Sequence, residues 1–483
     1  MAAITMTDTN IEIAVEEELM QDQAVPSYLV DIQCTEGVVT LTGSVDNLLA
    51  KERARAIAET VKGVRSVVNR IEVIPEMQKT DIEIQTDVAD ALFVDPVTES
   101  FEIDVSVNDN VVTLDGKVDS YLEKKAVEKV AKSIGGVKEV KNLVTYDYKT
   151  SRSDTELASE IKAALQWDNL VDDALVQVSV KNRKVTLTGT VGSAAEKRRA
   201  MTKAWLPAGI KEVDASRLTV ERWARDTDLR TQKYVQKSDD KIQDAVDKAI
   251  LYDPRVLSTK VNTRVDNGRV TLTGKVNTLS AKQAAAEDAR NTVGVIRVKN
   301  QIKVTPPAQA MSSQELKQTI MDKFRRDAYV DNFEITVSAL GGMVNLYGTV
   351  DTYYEKARAE DLASEVQGVY AVNNNLIVQK DWDPFVYKPY VDDSYIYDYD
   401  WYSYQPNVTA TKDDSAIKDN IESELFWSPF VDSDQVTVMV DDGTATLTGQ
   451  VDSWSEYNAA TQNALEGGAV VVDNELTISS VTP

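Results

Sequence analysis

One eight-residue string, written six times, constrains this chain more than any other feature. It reads VVTLTGSV ending at Val45, VVTLDGKV at Val118, KVTLTGTV at Val191, RVTLTGKV at Val276, MVNLYGTV at Val350 and TATLTGQV at Val451. The motif glycines Gly43, Gly116, Gly189, Gly274, Gly348 and Gly449 are separated by 73, 73, 85, 74 and 101 residues. Length alone would divide 483 residues into roughly three domains. The period replaces that with six small ones and inserts after the third and fifth. A second glycine follows the first by 20 residues in five copies and by 19 at Gly468. Six positions later stand Asn69, Asn142, Asn300, Asn374 and Asn474, with Ala215 breaking the rule in the third copy.

Each copy reads as α-β-β-α-β. Capping boxes Thr9-x-x-Glu12, Thr80-x-x-Glu83, Ser153-x-x-Glu156 and Ser312-x-x-Glu315 mark a helix start. Leu157, Ile161 and Leu165 then recur at helical spacing, and Val176, Val178 and Val180 alternate with polar residues as a strand does. Polar turns such as Lys181-Asn182-Arg183 and Asp266-Asn267-Gly268 lead into the motif strand and predict a hairpin. A helix rich in alanine and charge ends at the second glycine, and a last strand closes the unit. The fold class expected is α+β: six tandem domains, each a three-stranded mixed sheet with two helices on one face. The boundaries expected are 8–76, 79–149, 152–224, 238–305, 312–380 and 412–480, with a linker at 225–237 and a Tyr/Asp-rich linker at 381–411.

Strand alternation places Gly189 on the core face with Val185, Leu187 and Val191. Fifteen residues after each motif glycine stands an alanine: Ala58, Ala131, Ala204, Ala289, Ala363 and Ala464. A glycine facing an alanine stripe predicts close approach of the second helix to the sheet. Isolated glycines lack the G-x-G-x-x-G or Walker context of a phosphate cradle.

Charge and composition exclude whole classes of function. Lys plus Arg number 53 against 78 Asp plus Glu, a net charge of −25, which argues against nucleic acid as a partner. Histidine is absent, so every His-based triad, zinc site or haem ligand is excluded. The single Cys34 rules out intrachain disulfides and Cys-rich metal sites. No Lys or Arg precedes Lys51 and no apolar run approaches a membrane span, so the expected compartment is the cytoplasm, or the periplasm or exterior if a leader has been removed. Six near-equivalent units offer no unique polar constellation. The expectation is a protein that is not an enzyme and uses no cofactor or metal, with no catalytic residue.

The α-β-β-α-β order, the V-T-L-x-G-x-V strand and the G-V-x-x-V-x-N closing segment resemble the BON domain, the bacterial OsmY-and-nodulation module, over all six copies. That resemblance implies a non-enzymatic, stress- or envelope-associated protein that binds phospholipid surfaces or protein partners. Linked weak sites suit multivalent binding. The expected partners are other proteins, including further copies of the chain, and a membrane surface held weakly with the help of cations. The competing reading is a self-assembling structural subunit, an oligomer or filament scaffold.

Four local features complete the reading. Cys34 shares a strand face with Val30 and Ile32, as a buried and inert thiol would. Lys197-Arg198-Arg199 with Lys203 reads as a solvated helix face, the alternative being a face that docks an anionic surface. The carboxylate runs lack the D-x-D-x-D-G pattern of a calcium loop. Residues 382–406 hold ten aromatics, and Tyr395, Tyr397, Tyr399 and Trp401 alternate with Ile396, Asp398 and Asp400, followed by Tyr402 and Tyr404. This segment either packs on units five and six of its own chain or adds to a sheet of a neighbouring chain and drives assembly.

Overall fold

In the first unit a helix (Asp8–Gln21) is followed by a hairpin (Val30–Thr35, Val38–Val45), a second helix (Leu48–Glu59) and a closing strand in two pieces (Ser66–Asn69, Glu72–Val73). The same order recurs five more times, with the closing strand in one piece in units three (Glu212–Val220) and five (Ala371–Val378), giving twelve α-helices among the described residues. The computed structural model describes residues 6–22, 24–76, 78–98, 102–147, 150–225, 233–256, 260–305, 311–331, 333–378 and 413–478. The aromatic run Tyr395, Tyr397, Tyr399, Trp401, Tyr402 and Tyr404 lies outside the described residues.

Each sheet is mixed. In unit one the hairpin is antiparallel, from Val30 opposite Gly43 to Thr35 opposite Val38, and the closing strand runs parallel to the motif strand, from Val38 opposite Ser66 to Leu41 opposite Asn69. The motif strand is therefore central, and its alternation buries Val39, Leu41 and Val45 under the two helices. All six hairpins turn through two residues with positive φ, as at Asn182 (51°) and Arg183 (63°), the conformation that matches strand twist. Five first helices begin with an aspartate that grips this turn. Asp154 accepts from the backbone N–H groups of Asn182 and Arg183 at 2.7 and 3.0 Å, and Asp8, Asp81, Asp239 and Asp414 do the same in their units.

The closing-strand asparagine is a latch. The Asn69 side chain donates to the Lys51 carbonyl at 2.7 Å and accepts from the Ile71 N–H at 3.1 Å, tying strand to helix where the strand bends. The third unit, with Ala215 there, runs one unbroken strand Glu212–Val220 with a register shift opposite Thr186–Thr188.

Two expectations are corrected. Thr80, Ser153 and Ser312 form capping boxes, but the first helix caps on Thr7, which accepts from Asn10 N–H at 3.2 Å, while Glu12 accepts from Cys34 N–H at 2.6 Å. The motif glycine does not serve helix packing. The alanine stripe is fully buried, as at Ala58 and Ala204, yet Gly189 is only half-buried and Gly43 is exposed. Gly189 has φ +111°, and a Cβ there would fall inside the Leu175 carbonyl oxygen at the start of the hairpin. The other five motif glycines face the equivalent carbonyl. Backbone against backbone, not helix against sheet, forbids the side chain.

Candidate functional site

The second helices converge. Each is capped by Asn47, Ser120, Ser193, Thr278, Thr352 or Ser453 and buries its alanine stripe on its own sheet. Charged residues on the opposite face enter ion pairs, some within the unit and some with a neighbouring one. The basic run on the third unit's second helix (Ala194–Ala204) shows this most clearly, and it corrects the expectation of a solvated face. Arg199 pairs with Asp168 at 2.8 Å, Lys203 with the same carboxylate at 2.7 Å, and Arg198 with Glu59 of the first unit at 2.7 Å. Burial opposes ionisation of Asp168, but the two cations outweigh it and hold its carboxyl well below the usual range.

Three junctions repeat one geometry, the end of a first helix meeting the end of another unit's second helix. Asn169 N–H donates to the Asn291 carbonyl and Val293 N–H to the Trp167 carbonyl, both at 3.0 Å, joining units three and four. Gly135 N–H donates to Arg326 at 2.9 Å and Ala328 N–H to Ser133 at 3.0 Å, joining units two and five. Lys62 N–H donates to the Trp427 carbonyl at 2.9 Å, joining units one and six. Aromatic contacts add to these. Tyr121 stacks on Trp205 with centroids 3.8 Å apart, and Tyr329 donates its hydroxyl proton to the Ala24 carbonyl at 2.9 Å. The cores of units one and two merge into one apolar cluster that also takes in Ala194 and Trp427.

At the end of the first helix the repeat has a period of two units. Units one, three and five carry buried pairs Asp22–Arg53, Asp168–Arg199 and Asp327–Arg358 at 2.6, 2.8 and 2.6 Å, each spanning 31 residues. Units two, four and six place Ala126, Ala284 and Ala459 at the arginine position. Sequence reasoning missed this pattern, although the arginine ten residues after every other motif glycine was its signal.

Second helices of five units line a shared cavity of about 840 Å³. Its walls join apolar groups such as Leu49, Leu122, Met201 and Trp205 to charged ones. Lys132 of unit two reaches Glu52 of unit one at 3.1 Å across it. Burial would raise the Glu52 carboxyl, yet Lys132 and Arg55 bring it down to about 2. The motif glycines lie on the strands, away from this hub. Cys34 is buried with its thiol 3.4 Å from the Asp8 carboxylate, and burial, followed by that carboxylate, pushes it up to about 12.

Comparison with known proteins agrees with the repeat. The model of the BON domain matches residues 7–75, 80–148, 153–222, 238–306, 312–380 and 413–480. Over 143 residues the chain is 30% identical to osmotically-inducible protein Y of Escherichia coli (strain K12), covering 28% of this chain and 71% of that protein. It is 29% identical over 144 residues to the outer membrane lipoprotein DolP of Haemophilus influenzae, covering 29% and 74% respectively. CdsD, a structural protein of the type III secretion system of Chlamydia trachomatis, is 16% identical with a TM-score of 0.13, covering 42% of this chain and 90% of that one. With six matched copies of one α-β-β-α-β unit accounting for most of its length, the chain belongs to the BON domain family.

Proposed function

We propose that this chain is a non-enzymatic, multivalent binding protein that engages the bacterial envelope as one preassembled body. The observation that carries this reading is the burial of the second helices against one another, which leaves the outer sheet faces and the first helices as the repeated surface. Sequence supports the non-enzymatic part: there is no histidine, and the only thiol is buried and far from ionising at neutral pH. The relatives, one named as osmotically inducible and the other as an outer membrane lipoprotein, support the envelope and stress setting.

Two exposed aromatics mark where contact begins. Tyr28 is 85% exposed and Phe333 is 92% exposed. Each stands six residues after the aspartate that closes its first helix, Asp22 or Asp327, and their units meet through Tyr329 and Ala24. Large apolar side chains this exposed are features of an interaction surface. Sedimentation of the full chain with vesicles of bacterial total lipid tests the reading. The chain is expected to pellet with the vesicles, and the double variant Tyr28→Ser, Phe333→Ser to pellet several-fold less while changing stability by no more than about 0.5 kcal/mol. A full chain that stays in the supernatant at low salt contradicts the proposal.

A further inference from the structure

The hub cavity differs in charge from the rest of the molecule. The chain carries a net charge of −25, yet the cavity is lined by twelve Lys or Arg against nine Asp or Glu. Several of these cations are neutralised in the junctions, as Arg198 is by Glu59 and Lys132 by Glu52. Arg326, at the end of the fifth unit's first helix (Ser313–Arg326), is held less closely. It is 5% exposed, and its Nη1 stands 3.9 Å from Asp90, whose side chain is 58% exposed and free to hydrate. Its Nε is buried with no hydrogen-bond partner among the described residues. Lys282, on the fourth unit's second helix (Leu279–Arg290), lines the same cavity and makes no ion pair among the described residues.

A buried guanidinium with one nitrogen unsatisfied and its ion-pair partner at 3.9 Å is costly, and the body holds this one in place through the Gly135–Arg326 backbone bond. Burial pushes its pKa below the ordinary arginine value, ahead of the opposing pull of Asp90, Asp322 and Asp87. The cavity's 840 Å³ falls within the size range of small-molecule sites, roughly 300–1,000 Å³. A cation in a cleft with low-dielectric walls attracts anions strongly, and the planar fork of arginine matches phosphate and carboxylate oxygens.

We infer that the hub cavity binds a small, soluble, polyvalent oxyanion, a molecule bearing phosphate or several carboxylates, with Arg326 as its buried anchor and Lys282 as a second cationic contact from another unit. Because five units line the cavity, the ligand stabilises the docked body by mass action.

Titration calorimetry of the full chain with pyrophosphate and with citrate, at ionic strength matched by chloride, tests this. Saturable one-site binding is expected for at least one anion, together with a rise in melting temperature. Arg326→Gln is expected to weaken that binding at least tenfold. Lys282→Gln, a half-buried change that leaves the ligand-free melting temperature in place, is expected to weaken it several-fold. The proposal is overturned if neither anion binds saturably, or if both variants keep full affinity. It is equally overturned if the chain binds phosphatidylglycerol vesicles through these two residues while neither anion binds or competes, since the cations then serve a lipid headgroup.

Discussion

Gly189 shows how one residue can be found from sequence and still be misread. Its recurrence was plain, but alternation assigned it to the core, whereas its backbone sits at φ +111° against the Leu175 carbonyl. The two accounts separate experimentally. If helix packing excluded the side chain, Gly189→Ala would be mild and Gly189→Val severe. With a carbonyl in the way of any Cβ, alanine alone is expected to cost ~1–3 kcal/mol, read as faster amide exchange in the third unit's hairpin. Exchange that is unchanged in the alanine variant restores the packing account. Glu355 is a second residue whose environment sequence could not reveal. Its carboxylate accepts from the Asp331 and Asp351 N–H groups at 2.7 and 3.1 Å, but burial outweighs them and raises it to about 7. A raised folded-state value means stability that is fully present below the unfolded value of 4.5 and lost as pH rises through about 7. Glu355→Gln is expected to flatten the pH dependence of melting across that window, and a slope retained in the variant assigns it to another group.

Within one unit, the elements were nearly all legible, because local signals and the hydrophobic period agree. Capping boxes at Thr80, Ser153 and Ser312, turn residues suited to positive φ, and the buried alanine stripe each say the same thing about the fold. The first helix start was misplaced by two residues because Thr9 and Glu12 imitate a box whose carboxylate is needed by Cys34 N–H instead. The asparagine was seen as a spacing and not as a latch, since its two partners lie on a helix 18 residues away and two residues onward. Asn142→Ala removes the donations to the Lys124 carbonyl at 3.0 Å and to Glu128 at 3.3 Å and the bond accepted from Val144 N–H at 3.1 Å. It is expected to lower stability by ~1–3 kcal/mol, with the urea midpoint as the readout. A midpoint identical to the unsubstituted chain denies the latch its role. The fifth unit keeps the latch at Asn374 on an unbroken strand, whereas the third, with Ala215, shifts register opposite Thr186–Thr188, so Ala215→Asn is expected to gain nothing there.

Across the whole molecule, the sequence reading sees six domains in a row, and the structure docks them around a common centre. Nothing periodic within a single unit announces that docking. Charged stripes on the second helices look solvated until the neighbouring unit's carboxylate is in place, as Glu59 is for Arg198. The alternation of Arg53, Arg199 and Arg358 with alanines was present in the sequence, but a buried partner 31 residues upstream gives it meaning only in three dimensions. Acid tests the docking electrostatically. Glu52, held at about 2 by Lys132 and Arg55 against burial, contributes stability that is complete above 4.5 and lost as pH falls through about 2. The contact between units one and two is therefore expected to loosen over that interval, and Lys132→Met to shrink this part of the acid response, leaving the share that Arg55 carries. The central claim is that the six units form one docked body, and small-angle scattering of the full chain at neutral pH tests it most directly. A compact body of this length has a radius of gyration of roughly 23 Å, the result the account predicts. A value of about 40 Å or more, with a maximum dimension that grows with each unit as in a string of separate domains, would contradict it.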